Sequence, residues 1–154
     1  MKKVLAFILI ILVFLQFFQI ERKNPPVDKD MDFISIKNTP DQTAKIIRNS
    51  CYDCHSNETV YPWYSYTQPA GWLLANHIKE GRQHLNFSTF ATYDTGRQIH
   101  KLEECVEMIE KDEMPLESYL LGHPDAKLSP ENKKEIIDFF TQVKNQIKNT
   151  QSSL

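Results

Sequence analysis

Hydrophobic residues are scarce through most of this chain. They make up 41% of its 154 residues, but sixteen of them crowd into the first twenty positions. The remaining residues are about 38% apolar with glycine counted, against roughly 45–50% in a typical globular domain. A core built of side chains alone is short of material, so something else is expected to help fill it. Cysteine is scarce too. Three cysteines, unevenly spaced, exclude a disulfide scaffold and leave two of them to be explained by their local motif. A net charge of −2, without any Lys/Arg stripe, excludes a general nucleic-acid binder. Strand-like alternation, repeats and low-complexity tracts are lacking as well, and the length suits one domain with an appendage.

The one long hydrophobic run, Val4 to Ile20, is broken only by Gln16 and Gln19, with Lys2 and Lys3 before it and Glu21, Arg22 and Lys23 after it. At about 1.5 Å per residue it just crosses a hydrocarbon core. Its exit, Leu15-Gln16-Phe17-Phe18-Gln19-Ile20, is bulky where cleavage needs small residues, and no lipid-modifiable cysteine comes after it. Residues 1–23 are therefore expected to form an uncleaved signal anchor, a transmembrane helix that binds the chain to the inner membrane as a single-pass protein. The positive-inside rule then keeps Lys2 and Lys3 inside and sends the soluble domain into the periplasm. Residues 24–38 hold Pro25-Pro26 and the charged Asp28, Lys29, Asp30 and Asp32 without helical periodicity, and read as a tether. The folded domain is expected over 39–148, before a frayed tail at 149–154.

That domain reads as all-α. Thr39-Pro40 predicts a cap with proline at the first helical position, for a helix running to about Ser50. A second helix is predicted from Pro69 to Gly81, glycine suiting a helix C-terminus. A third covers Gly96 to Lys111, where Ile99, Leu102, Val106 and Ile109 recur at helical steps with Cys105 beside them. Ser129-Pro130-Glu131 opens a fourth, with Ile136, Phe140, Val143 and Ile147 on one face and Ile137 and Phe139 widening it.

The chemistry is concentrated in Cys51-Tyr52-Asp53-Cys54-His55. Two thiols three apart, followed at once by histidine, match the attachment motif of a c-type haem: both vinyl groups reach a sulfur while the imidazole meets the iron. A redox dithiol would need a βαβ context, and a zinc site a second close Cys/His pair; neither is present. One covalent haem c, on Cys51 and Cys54 with His55 as proximal ligand, also answers the shortage of apolar side chains.

The motif after a short helix, Met114-Pro115 far downstream and a final amphipathic helix together resemble a small class I cytochrome c. More closely, Tyr61-Pro62-Trp63-Tyr64, His77-Ile78-Lys79-Glu80-Gly81-Arg82, Leu85-Asn86-Phe87-Ser88 and Glu113-Met114-Pro115-Leu116 with His123-Pro124 resemble the haem-binding domain family of exported Gram-negative proteins, over about residues 35–148. The resemblance implies a cytochrome c-like helical domain around one haem and gives Cys105 no role.

A histidine-ligated iron in an electron carrier takes a strong sixth ligand. Met114 is the first choice, because Pro115 ends the preceding helix and frees the thioether. His77 is the alternative, and His84, His100 and His123 read as surface residues. Trp63, Tyr64 and Arg82 are candidate haem-pocket groups that would hold the propionates; Tyr61, Tyr66 and Trp72 complete an aromatic cluster that otherwise reads as a hydrophobic wall. Glu103, Glu104, Glu107, Glu110, Asp112 and Glu113 read as a solvated face that also suits a basic redox partner. The expected function is one-electron transfer between periplasmic partner proteins, with no nucleic acid involved. A haem-based sensor or small-ligand binder is the alternative and a peroxidase-like enzyme the third reading. No nucleophile, base and orienter constellation supports an enzyme.

Overall fold

The computed structural model describes residues 1–152, and every regular element among them is helical. In chain order these are α1 Lys2–Leu15, α2 Phe33–Ile36, α3 Asp41–Ile47, α4 Asp53–His55, α5 Ala70–His84, α6 Thr95–Glu110, α7 Glu117–Leu120 and α8 Pro130–Ser152. A wide π turn over Arg48–Tyr52 joins α3 to α4, and short 3-10 turns lie at Trp63–Tyr66, Phe87–Thr92 and Pro124–Ala126.

The three long helices of the domain lie near their predicted positions, with shifted ends. Asp94 begins α6 by accepting the Arg97 amide at 2.9 Å, and Ser129 begins α8 by accepting that of Asn132 at 3.1 Å. α6 and α8 pack side by side, burying Leu102 and Ile109 against Ile136, Phe140 and Val143. α3 starts one residue later than the Thr39-Pro40 cap implies. Helix α8 runs on past Asn149 into the expected frayed tail, whose last two residues lie outside those described.

The expected transmembrane helix needs correction. α1 has 14 residues, which at about 1.5 Å each spans about 21 Å, well short of a hydrocarbon core about 30 Å thick. No helix among the described residues is long and apolar enough to cross a membrane, so the single-pass inner-membrane placement, and the periplasmic side inferred from it, lose their basis. The cause lies at the two glutamines. The Gln16 side chain accepts the Gln68 amide (2.9 Å) and donates to the Gln68 carbonyl (3.0 Å), pairing with it as a strand would. Gln19 donates to the Tyr66 carbonyl and Arg22 to that of Ser65, while the Trp72 indole donates to the Phe18 carbonyl at 2.8 Å. Residues 16–22 thus strap the chain to the segment before α5 instead of extending the helix.

The tether of residues 24–38 differs from expectation too. Phe33, fully buried, stands at the centre of the core, with ring centroids 4.9 Å from Phe90, 5.3 Å from Phe87 and 5.7 Å from Phe140. Asp32, itself buried, caps α2 through the Ile34 and Ser35 amides and accepts the Tyr52 hydroxyl at 2.9 Å. The folded core therefore begins before Thr39. Phe33→Ala is expected to destabilise the protein by about 3–5 kcal/mol, as for other buried phenylalanines; chemical denaturation showing less than about 1 kcal/mol would return this stretch to the status of a tether.

Candidate functional site

Cys51, Cys54 and His55 fall on one continuous helical path, the π turn running into α4. Spacings of three and four place all three on one face. The path ends at Ser56, whose hydroxyl donates to the Tyr52 carbonyl and accepts the Glu58 amide. α5 packs directly against α4, and Gly81 is the point of closest approach: a Cβ there would stand 2.6 Å from the Cys54 carbonyl oxygen. Gly81 is thus a close-packing residue inside a helix that continues to His84, and not the helix end expected from sequence.

The motif's face, α5, α6 and residues 114–119 enclose a cavity of about 610 Å³. Cys51, Cys54, His55, His77 and Met114 all line it. So do His84, which sequence reads as a surface residue, and Glu104, which it reads as part of a solvated face, together with residues not anticipated: Glu80 on α5, Lys101, Cys105 and Met108 on α6, and Tyr119. Those of α6 share a helical spacing that could have found them. Positions 101, 104, 105 and 108 form a second face beside the stripe of 99, 102, 106 and 109. Met114 reaches the cavity because α6 ends in a Schellman turn: Glu113 donates to the Met108 carbonyl and Asp112 to that of Ile109, Asp112 taking φ 59° where glycine is usual.

His55 Nδ1 lies 3.1 Å from the Leu85 carbonyl oxygen. A carbonyl only accepts, so Nδ1 carries the proton and Nε2 keeps its lone pair. Burial lowers the imidazole's pKa and holds it neutral. Burial, reinforced by Cys54, pushes the Cys51 thiol up to about 12; burial, with Asp53 adding to it and Arg82 opposing it, pushes Cys54 up to about 11. Both are protonated thiols at neutral pH. Burial likewise raises Cys105.

Arg82, Trp63 and Tyr64 do not line this cavity. Arg82 donates to the Ser56 carbonyl (2.7 Å), to Asn24 Oδ1 and to Thr59 Oγ1, so it braces the loop after the motif. Trp63 is 80% exposed. The Tyr64 hydroxyl pairs with His123 Nε2 at 2.9 Å, and His123 stacks on Tyr119 at 4.2 Å. Tyr119 donates to Asp53 Oδ2 (2.8 Å), while the Val60 amide donates to Oδ1, so the carboxylate between the two cysteines ties down the loop beyond Met114. The acidic face is largely paired. Lys144 and Lys148 meet Glu103, Lys111 meets Glu107 and Lys133 meets Asp112.

The donor set suits a haem: a neutral imidazole and two thiols that line one cavity, with an apolar floor of Leu85, Phe87, Ile109 and Phe140. A family model described as a haem-binding domain matches residues 10–142. No curated protein and no solved structure matches the chain.

Gly81→Ala separates two opposing effects. Helix propensity alone would stabilise the variant by about 1 kcal/mol, whereas an added Cβ against backbone forces α4 from α5 and costs about 1–3 kcal/mol. A net loss in urea denaturation is expected. A gain would show that the two helices do not touch as described.

Proposed function

Because the chain belongs to the haem-binding domain family, we propose that Cys51 and Cys54 hold one haem covalently as haem c, that His55 is its proximal ligand, and that the protein works in one-electron transfer and not as an enzyme. The observation that carries this reading is the convergence of Cys51, Cys54 and His55 on one cavity, with His55 Nδ1 turned to the Leu85 carbonyl. The bound haem supplies the one-electron couple; the chain supplies its anchor, its ligands and its surroundings. The Leu85 carbonyl orients the imidazole and makes it a better donor. α6 and the loop after it cover the cavity side that faces α4 and α5.

Two cavity residues compete for the sixth position. His77 stands on α5, one turn before Gly81 and so on the helix packed against the proximal motif. Met114 comes from the separate segment beyond α6. Met114 would be the sixth ligand, because it reaches the cavity from a segment other than the helix packed against the motif. Its thioether is a soft donor that favours ferrous iron and a comparatively high potential. Electron donor and acceptor proteins are the partners this reading requires.

Covalency is tested by co-expression with a cytochrome c maturation system and haem staining of the denatured chain on a gel. The wild type should stain and gain the mass of one haem, and a double Cys51→Ala, Cys54→Ala variant should do neither. An unstained wild-type band overturns the covalent reading.

The ligand is tested by spectra. Met114→Ala should open the reduced iron to carbon monoxide and lower the potential, while His77→Ala leaves both nearly unchanged. The reverse pattern would make the iron bis-histidine. Ready carbon monoxide binding by the wild type would favour a sensor over a carrier, and peroxide turnover would favour an enzyme.

A further inference from the structure

The charges around the cavity pose a problem for any carboxylate-bearing ligand. Asp53, Glu80, Glu104 and Glu107 all line it, and Lys101 is the one lysine or arginine among the described residues that do. Asp53 is engaged by Tyr119 and the Val60 amide, and Glu107 by Lys111. A planar molecule carrying two carboxylates would meet like charge along most of this wall.

The Lys101 side chain is 13% exposed, below Lys144 at 20%, Lys133 at 27%, Lys111 at 54% and Lys134 at 78%, and it alone of these lines the cavity. A cation on so buried a side chain needs a counter-ion. It has one in Glu104, whose Oε2 lies 2.5 Å from Lys101 Nζ, while Glu104 Oε1 lies 3.1 Å from His100 Nε2. Glu104 is the looser partner, with 41% of its side chain exposed and an outer imidazole, itself 66% exposed, ready to keep it. A carboxylate already sits on Lys101. A ligand carboxylate arriving through the cavity can take its place while Glu104 turns to solvent and His100.

We propose that Lys101 is the anion subsite of the cavity, where a haem propionate displaces Glu104 and so fixes which edge of the macrocycle faces α6. The proposal rests on the haem reading above. It assigns to Lys101 the part for which Arg82 was the sequence candidate, and makes Glu104 an internal competitor.

The test uses the full haem-free chain with its thiols reduced, titrated with hemin and with hemin dimethyl ester and followed by absorbance and circular dichroism. Wild type should prefer hemin. Lys101→Met should weaken hemin binding about tenfold, the scale of one charge-assisted hydrogen bond, and leave the ester unaffected. Lys101→Arg should restore the preference, and Glu104→Gln should tighten hemin binding. The opposite signs at positions 101 and 104 separate this role from general damage to the fold. A hemin-to-ester ratio unmoved by both Lys101→Met and Glu104→Gln overturns the subsite while leaving the haem reading intact. A wild type that binds neither porphyrin overturns both.

Discussion

The contact of Gly81 with the Cys54 carbonyl is the constraint on which the rest of the site depends. Two backbone segments meet there with no side chain between them. With α5 seated at that distance, the chain leaving its C-terminus brings the Leu85 carbonyl to His55 Nδ1, so the same packing that fixes the second cysteine also fixes the imidazole's tautomer. Arg82, one residue beyond Gly81, turns the other way and braces Ser56 and Thr59. A single helix turn therefore supports the motif from its inner and outer sides. Bulk at Gly81 would disturb the place of Cys54, the orientation of His55 and the loop after the motif together.

A second tie runs from the motif to the distal loop. Asp53 stands between the two cysteines and receives Tyr119, which is stacked on His123, which is bonded in turn to Tyr64. Burial first, and then the Asp53 bond, raises the Tyr119 phenol far above its ordinary range, so it remains a donor at any physiological pH. The loop that begins at Met114 is thereby held by the residues it has to face. Asp53, Glu80, Glu104 and Glu107 line the same cavity with Lys101 as their one lysine or arginine counterpart among the described residues, so its wall carries an excess of negative charge.

Legibility in the sequence followed the physical origin of each feature. α5, α6 and α8 have periodic apolar faces, and periodicity survives without tertiary knowledge. The Cys51–His55 motif is local chemistry at fixed spacing and needs no fold to be seen. Phe33 is hidden because it opens a helix of only four residues, too short to show a period, although it anchors the whole aromatic core. Gln16 and Gln19 looked like tolerated interruptions of an apolar run, whereas their amides pair with backbone some fifty residues away. Arg82 reads in sequence as a propionate partner, but whether it faces the cavity or the outside of α5 depends on where Gly81 makes contact, and that is a tertiary fact. Lys101 and His84 were passed over because, in sequence, each is one charged or polar residue among many.

The shortage of apolar side chains has a definite location. Phe33, Tyr52, Phe87, Phe90, Phe139 and Phe140 gather on one side, and Phe87 and Phe140 are shared between that cluster and the cavity floor. A sealed dry cavity of about 610 Å³ would cost on the order of 15 kcal/mol at about 24 cal/mol per Å³, as much as the entire stability of a domain. This one escapes that cost because part of its wall is wet. Glu80, His84 and Glu107 line it and are also exposed to solvent. A planar apolar ligand that covers Leu85, Phe87, Ile109 and Phe140 while leaving its charged edge near the rim gains hydrophobic burial from that floor without stranding the carboxylates around it.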